Sequence, residues 1–330
     1  MKKMCARCSS PVSGRRCPVC GYDCREDEES VALTAGNVLC ERYVIGKVIG
    51  SGGFGITYLA YDTELDRTVA IKEYFPKGIA VRAQDDVTVE PFATMQKSEF
   101  AAGMEKFTAE AELLTKLESD TAVIKVFGTF VENGTAYYVM EYVHGVTIQE
   151  YVETYGSISM GQALFAAREA AVSFEVIHGK NIIHRDLSPN NIMIRLDGRI
   201  RLVDFGNARP FLADGKNSMT VSVKPGYAPL EQYLRHGNQG PWTDIYSLGA
   251  VLFYALTKRM PEDPMARLDN DSWFCEGLSL VDTEFAEVLR KMCAIKAGDR
   301  YTCAKELLED LNRIKIPPER FDLMENALRD

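Results

Sequence analysis

The chain has 330 residues, 46% hydrophobic and 26% charged, with a formal net charge of −9. That length holds one two-lobed domain with a small appendage, or two modest domains, and the composition is that of a globular chain. The acidic balance argues against general nucleic-acid affinity, and no apolar run reaches the roughly 18 residues of a membrane-spanning helix. The basic start Met1-Lys2-Lys3-Met4-Cys5 has no apolar segment behind it, as an export signal would. A cytoplasmic protein without membrane or nucleic-acid partners is expected.

Nine cysteines, an odd total without an export signal, disfavour a disulfide framework. Five of them fall before residue 25. Cys5-x-x-Cys8 and Cys17-x-x-Cys20 each place two thiolates on a tight turn, and four sulfurs suit tetrahedral Zn²⁺. Val12, Val19 and Tyr22 are nearly all the large apolar residues here, so burial cannot fold this stretch. Ligation would have to, at about 10–16 kcal/mol for structural zinc in small peptides. Residues 1–24 resemble a zinc ribbon, for which docking to a regulatory protein is the expected role. Redox-active thiols are the alternative, and Cys24 is a spare thiol or a substitute ligand. Cys40, Cys275, Cys293 and Cys303 stand alone among apolar residues and are expected to be buried packing residues. Residues 25–41, opening on Arg25-Glu26-Asp27-Glu28-Glu29-Ser30, are expected to form an acidic linker.

A strand is expected over Tyr43–Ile49, running into Gly50-Ser51-Gly52-Gly53-Phe54-Gly55. A lone GxGxxG is a weak signal, but the continuation is informative. A dinucleotide fold needs a helix next, whereas Ile56–Ala60 reads as a second strand, Asp62–Asp66 as a turn and Thr68–Lys72 as a third strand. A glycine hairpin lets backbone N–H groups approach phosphates closely, with Phe54 at its tip capping the site. Lys72 leaves an apolar strand and is costly without a partner. The expected partner is Glu110, on a helix Phe107–Leu117 whose apolar face is Phe107, Leu113, Leu114 and Leu117; Glu112 is expected to face outward. The intervening segment 73–105 is long, with a turn at Glu73–Gly78 and a short strand at Val87–Val89. Long loops are usually functional or disordered, and control of the Glu110 helix is one candidate role. Ala136–Gly145 reads as an apolar strand ending in a glycine.

His184-Arg185-Asp186-Leu187-Ser188-Pro189-Asn190-Asn191 is followed by Asp204-Phe205-Gly206. Ile192–Ile194 and Ile200–Val203 read as the strands of a hairpin turning at Asp197-Gly198. A hairpin returns the chain to its start, so Asp186, Asn191 and Asp204 can converge. One carboxylate can accept a hydroxyl proton while an amide oxygen and a second carboxylate hold Mg²⁺. Phosphoryl transfer from a nucleotide needs this positioning and charge.

With these motifs in this order, the chain resembles the eukaryotic-type serine/threonine protein kinases found in bacteria, over about residues 42–313. The resemblance implies an α+β, bilobal protein-kinase fold preceded by the zinc ribbon. The β-rich N-lobe would span 42–141, the helical C-lobe 145–313 and a C-terminal tail 314–330. It implies ATP and Mg²⁺ as cofactors. Gly50, Gly52 and Gly55 would cover the phosphates, with Ser51, Gly53, Phe54 and Thr57 also in the nucleotide site. Lys72 would hold the α/β-phosphates and pair with Glu110. Met140 resembles the gatekeeper, the Glu141 carbonyl and Val143 backbone would meet adenine, and Ala70 and Met193 would sandwich the base. Asp186 would be the catalytic base, and Asn191 and Asp204 the Mg²⁺ ligands. Glu231, in Gly226-Tyr227-Ala228-Pro229-Leu230-Glu231, would pair with Arg300, and Asp244 would anchor the catalytic loop.

Three departures stand out. Ser188 occupies a position where the family usually has lysine beside the γ-phosphate. Lys224 stands where the family usually has a threonine that touches that lysine, so the ammonium is expected to have moved across the contact; binding of substrate or solvent is the alternative role. The segment 73–105 is longer than the family usually needs. Arg185 would bind a phosphate on the activation segment, with Ser218, Thr220 and Ser222 as acceptors. The function expected is transfer of the ATP γ-phosphate to Ser/Thr hydroxyls of proteins. A nucleotide-binding scaffold without turnover and a small-molecule phosphotransferase are the alternatives.

Overall fold

Strands rich in β-branched and aromatic residues build an antiparallel sheet in the first half of the chain. In the computed structural model the described residues are 3–4, 11–12, 18–19, 31–117, 121–205, 209–210, 223–234 and 237–323, excluding the side chains of 3–4, 11–12, 209–210 and 273. Cys5, Cys8, Cys17, Cys20 and Cys24 lie outside them, as do Ser218, Thr220 and Ser222. Two units are distinguished: Met1–Lys116 with Lys125–Tyr142, and Leu117–Ile124 with Val143–Asp330.

The first unit opens with the short antiparallel pair β1 (Lys3–Met4) and β2 (Pro11–Val12). Its main sheet contains β3 (Val38–Leu39), β4 (Tyr43–Ser51), β5 (Gly55–Asp62) and β6 (Arg67–Tyr74). The insert carries the hairpin β7 (Ala80–Arg82) and β8 (Val89–Pro91), and helix α1 (Lys97–Leu114) follows. Strands β9 (Val126–Glu132) and β10 (Thr135–Glu141) complete a sheet in the order β3-β4-β5-β6-β10-β9. Strand β6 is buried from Val69 to Tyr74 because it lies mid-sheet and is covered on both faces.

Helix α1 begins ten residues before the expected Phe107 and ends at Leu114 rather than Leu117. Its buried residues Phe100, Phe107, Ala111 and Leu114 form one apolar stripe at helical spacing. The Tyr74 ring lies 5.2 Å from Phe100 and 5.5 Å from Phe107. Segment 73–105 is therefore mostly regular structure: the end of β6, a hairpin and the first turns of α1. Sequence reading missed the early turns because Gly103 interrupts them, and glycine is a weak helix former; in the fold it leaves room for the Tyr74 ring.

The second unit comprises β11 (Gly145–Thr147), α2 (Ile148–Tyr155), α3 (Met160–Gly179), β12 (Ile182–Ile183), β13 (Ile192–Arg195), β14 (Ile200–Leu202) and β15 (Arg209–Pro210). The helices α4 (Leu230–Tyr233), α5 (Pro241–Thr257), α6 (Pro264–Asp269), α7 (Ser272–Leu278), α8 (Thr283–Met292) and α9 (Ala304–Arg313) follow. Capping boxes start α2 (Thr147 with Glu150) and α3 (Ser159 with Gln162), satisfying backbone donors that would otherwise lack partners. Alanines at 163, 166, 167, 170 and 171 let α3 pack closely in the core beside α5, which is buried over most of its length.

Residues beyond α9 also pack onto this unit. The Glu319 N–H donates to the Gly161 carbonyl at 2.9 Å, and Phe321 is buried with its ring edge-on to Tyr151 at 5.4 Å. The cysteine expectation needs correction. Cys293 is buried, but Cys40 and Cys275 are exposed and Cys303 is intermediate. Cys40 occupies the β3–β4 turn at φ 50°. Among the described residues, no helix is long and apolar enough to cross a membrane.

Candidate active site

The expected hairpin forms as β13–β14, with Ile192 opposite Leu202 and Ile194 opposite Ile200. Its turn closes through the Gly198 N–H to the Arg195 carbonyl at 2.9 Å. At the open end the Val203 N–H donates to the Asn191 carbonyl at 2.9 Å, which brings the residue before Asp204 against Asn191. Pro189 starts a single 3₁₀ turn over Pro189–Asn191, and the Asn191 amide donates to the Asp186 carbonyl at 2.6 Å. With its amide nitrogen so engaged, Asn191 presents its side-chain oxygen as an acceptor.

The loop before the hairpin hangs on a buried carboxylate. Asp244, in the first turn of α5, accepts the His184 and Arg185 N–H groups, each at 2.8 Å, and lies 2.9 Å from His178 Nε2. Burial alone would raise the Asp244 carboxyl, but hydrogen bonding to His178, the nearby histidines and the Arg185 N–H hold it below the ordinary carboxylate range. Arg185 and Asp204 both sit at positive φ, 67° and 60°. Such conformations persist only where surroundings enforce them, and they cluster at functional sites. The His184 ring packs 4.2 Å from Phe205, and burial pushes its pKa down.

Burial raises the Asp186 carboxyl, Lys224 opposes that, and the charge of Asp204 pushes it up further. Lys224 Nζ lies 3.3 Å from Asp186 Oδ1 and 3.0 Å from Ser188 Oγ. The Tyr227 and Ala228 N–H groups hold the Lys224 carbonyl at 3.1 and 3.0 Å. Gly226 turns the chain between them at φ 79°, and a Cβ there would strike the Pro261 carbonyl. Nearby, Arg300 forms a two-pronged ion pair with Glu231, at 2.8 and 3.2 Å, with the guanidinium fully buried. Thr243 Oγ1 adds a hydrogen bond to the same carboxylate at 3.0 Å.

In the first unit, Lys72 is buried on β6 opposite Thr57 on one side and Tyr138 on the other. Its Nζ lies 5.9 Å from the centre of the Tyr138 ring, against which α1 packs Phe107 at 5.0 Å. Glu110 lies one turn beyond Phe107 and is half-buried, whereas Glu112 is exposed. Ala70 is buried opposite Met140 in the β6–β10 register. The Glu141 N–H donates to the Lys125 carbonyl at 2.9 Å, and the Lys125 N–H returns a bond to the Glu141 carboxylate at 3.0 Å.

The turn from Gly50 through Phe54 is exposed, and Phe54 remains 42% exposed. The turn is tied at its base. Gly52 N–H donates to the Gly55 carbonyl at 2.9 Å, Phe75 N–H to Phe54 at 3.1 Å and Lys77 N–H to Gly53 at 2.9 Å. In the second unit, Val143 is buried and Met193 half-buried. Arg185, expected to meet a phosphate, donates through Nε to Gln239 at 2.6 Å.

Sequence reading did not anticipate the buried pair of Glu73 and Arg82, nor His178 as a partner of Asp244. The available signal was weak: Glu73 follows Lys72 directly in an apolar strand, and a charge there needs a partner.

The protein kinase domain family matches residues 43–311. The chain is 31% identical over 323 residues to "Serine/threonine-protein kinase PknB" of Mycobacterium tuberculosis, covering 90% of this chain and 47% of that protein. It is 30% identical to "Serine/threonine-protein kinase PknA" of Nostoc sp. over 85% of this chain and 49% of the relative. With "Serine/threonine-protein kinase PrkC" of Bacillus subtilis it is 32% identical over 70% of this chain and 33% of the relative. The chain thus spans half or less of the length of these three relatives. A solved structure titled "PpkA-294 apo form" superposes with a TM-score of 0.74 at 32% identity, over 85% of this chain and 99% of that one. The chain therefore belongs to the protein kinase domain family, and its relatives are bacterial serine/threonine kinases.

Proposed function

We propose that the chain transfers the γ-phosphoryl group of ATP to serine and threonine hydroxyls of proteins. The observation that carries this reading is the half-buried Asp186 carboxylate set beside Asn191 and under the charge of Asp204, on a loop held by Asp244. The substrate hydroxyl oxygen forms a bond to the γ-phosphorus, the bond to the β–γ bridging oxygen breaks, and ADP leaves with that electron pair. Asp186 accepts the hydroxyl proton. Its burial raises its affinity for that proton.

Asn191 and Asp204 offer an amide and a carboxylate oxygen, a hard-oxygen set that suits Mg²⁺. When bound there, the cation supplies positive charge to the phosphate oxygens. Lys72 is assigned to the α/β-phosphates with Glu110 as its partner. The glycine turn is assigned to covering the phosphates, and Ala70, Met140, Glu141, Val143 and Met193 to the adenine. The braced Glu231–Arg300 pair supports a protein rather than a small-molecule acceptor, by the family resemblance of that segment. We also read residues 1–24 as a zinc ribbon that docks a regulatory protein, and Ser218, Thr220 and Ser222 as autophosphorylation sites.

The test is incubation with labelled ATP, Mg²⁺ and a generic protein substrate. Label is expected on serine and threonine of the substrate and, by mass spectrometry, on the activation segment, and none with Asp186→Asn. Equal labelling by wild type and Asp186→Asn, or labelling of small molecules alone, would overturn the reading.

A further inference from the structure

We propose that Lys224 supplies the phosphoryl-stabilising cation that the catalytic loop lacks at Ser188, its ammonium anchored on Ser188 and Asp186 and directed at the phosphoryl group in transfer. This rests on the kinase reading above and assigns a role that the fold alone does not.

Three observations support it. The ammonium contacts both loop residues, at 3.0 Å to Ser188 Oγ and 3.3 Å to Asp186 Oδ1. Neither Ser188 nor Asn190 can carry positive charge, so Lys224 brings an ammonium to a cluster that otherwise contains the carboxylates Asp186 and Asp204 and the imidazole of His184. The lysine's backbone is also fixed, by the two N–H groups on its carbonyl and by the Gly226 turn packed against Pro261.

A purely structural role accounts poorly for this arrangement. The Lys224 side chain is 36% exposed, and ion pairs at such exposure add little stability. Placing an ammonium on a general base also weakens that base unless the ammonium has a second task. An ammonium has three donors. Ser188 and Asp186 occupy two, and we assign the third to an oxygen of the transferred phosphoryl.

The charges then balance through the step. As the substrate oxygen bonds to phosphorus and its proton passes to Asp186, the carboxylate loses its charge. The ammonium's attraction falls instead on the phosphoryl oxygens and the departing ADP. Serine at 188 fits this scheme because its short hydroxyl accepts from the lysine and leaves space for it.

The experiment moves the charge back. Lys224→Ala, Lys224→Thr and the double variant Lys224→Thr/Ser188→Lys are compared with wild type after thermal melting establishes that each is folded. Lys224→Ala is expected to lower kcat about 10²–10³-fold, the cost of removing one transition-state donor, with KM for ATP little changed. Ser188→Lys in the Lys224→Thr background is expected to recover at least about tenfold of that loss.

A second readout needs no turnover. Mg-ADP with aluminium fluoride, a mimic of the phosphoryl in transfer, is expected to bind Lys224→Ala about 10²-fold more weakly, while Mg-ADP alone binds both proteins alike. Unchanged kcat with a raised peptide KM, no recovery in the double variant, or equal affinity for the fluoride complex would each overturn the proposal. Absence of transfer by wild type would instead overturn the kinase reading, and the fluoride measurement would still decide the role of Lys224.

Discussion

Arg82 grips the Glu73 carboxylate with both terminal nitrogens, each 2.8 Å from a different oxygen, and the two side chains are 4% and 0% exposed. Successive strand residues point to opposite faces, so Glu73 anchors one face of β6 while Lys72 serves the other. The Tyr58 and Tyr137 hydroxyls donate to the same carboxylate, each at 2.7 Å. Arg82 also reaches the Val31 carbonyl at 2.6 and 3.0 Å and the Val87 carbonyl at 2.9 Å. One guanidinium thus ties the insert hairpin and the segment preceding β3 to the strand that carries Lys72.

Arg82→Ala is therefore expected to cost about 3–5 kcal/mol, because it leaves a buried carboxylate without its counter-charge. Urea unfolding checks this through a lower midpoint at unchanged slope. Arg82→Lys is expected to recover only part of the loss, since a lysine cannot reproduce the planar two-pronged contact. A midpoint like that of wild type in Arg82→Ala would show that the pair contributes nothing.

Asp244 should give a pH signature. Its folded pKa lies below the ordinary value, so its contribution to stability is present above the unfolded value of about 3.9 and is lost as pH falls through the folded one. Asp244→Asn is expected to unfold more easily than wild type at neutral pH, by about 2–4 kcal/mol for the weakened hydrogen bonds to His184, Arg185 and His178. The difference should narrow below about pH 4. Denaturant melts at a series of pH values measure both effects, and a gap that stayed constant into acid would refute the assignment.

Local chemistry explains which features could be read from the sequence. The β13–β14 hairpin was legible because Asp197-Gly198 and the flanking isoleucines carry the turn and the period within a few residues. The Glu231–Arg300 pair was legible only through motif order, since 69 residues separate its members. The interior of segment 73–105 was legible only in part: a turn lies close to the expected Glu73–Gly78, and the expected strand Val87–Val89 falls at Val89–Pro91. Its structure depends on Arg82 meeting Glu73 and on Tyr74 filling the space at Gly103, contacts that no local pattern encodes. Cys40 and Cys275 misled because apolar neighbours in sequence do not fix the face a residue presents.

The paired Cys-x-x-Cys motifs lead to a prediction about metal. Purified protein is expected to hold one zinc per chain, released by a thiol-modifying reagent with the four thiolates Cys5, Cys8, Cys17 and Cys20. Cys17→Ser should lower the zinc content measured by plasma emission to a small fraction. Because thiolates must be deprotonated to bind, affinity should fall as pH is lowered. Protein that contains no zinc when purified without chelators would count against the ribbon.

Two glycines of the Gly50–Gly55 turn should separate structural from ligand-contacting roles. A Cβ at Gly55 would be driven into the Glu73 backbone carbonyl, where β5 pairs with β6 beside Lys72, whereas a Cβ at Gly52 meets nothing within 4 Å. Backbone cannot yield as a flexible side chain can, so Gly55→Ala is expected to destabilise the protein by about 1–3 kcal/mol. Gly52→Ala should leave the melting temperature close to wild type. If its backbone approaches the nucleotide phosphates, the added methyl group should weaken ATP binding several-fold and leave peptide KM unchanged. Calorimetric ATP titration and thermal melting on both variants distinguish the two effects. Equal destabilisation by the two substitutions would show that the turn is held at Gly52 as firmly as at Gly55, contrary to the close approach seen only at Gly55.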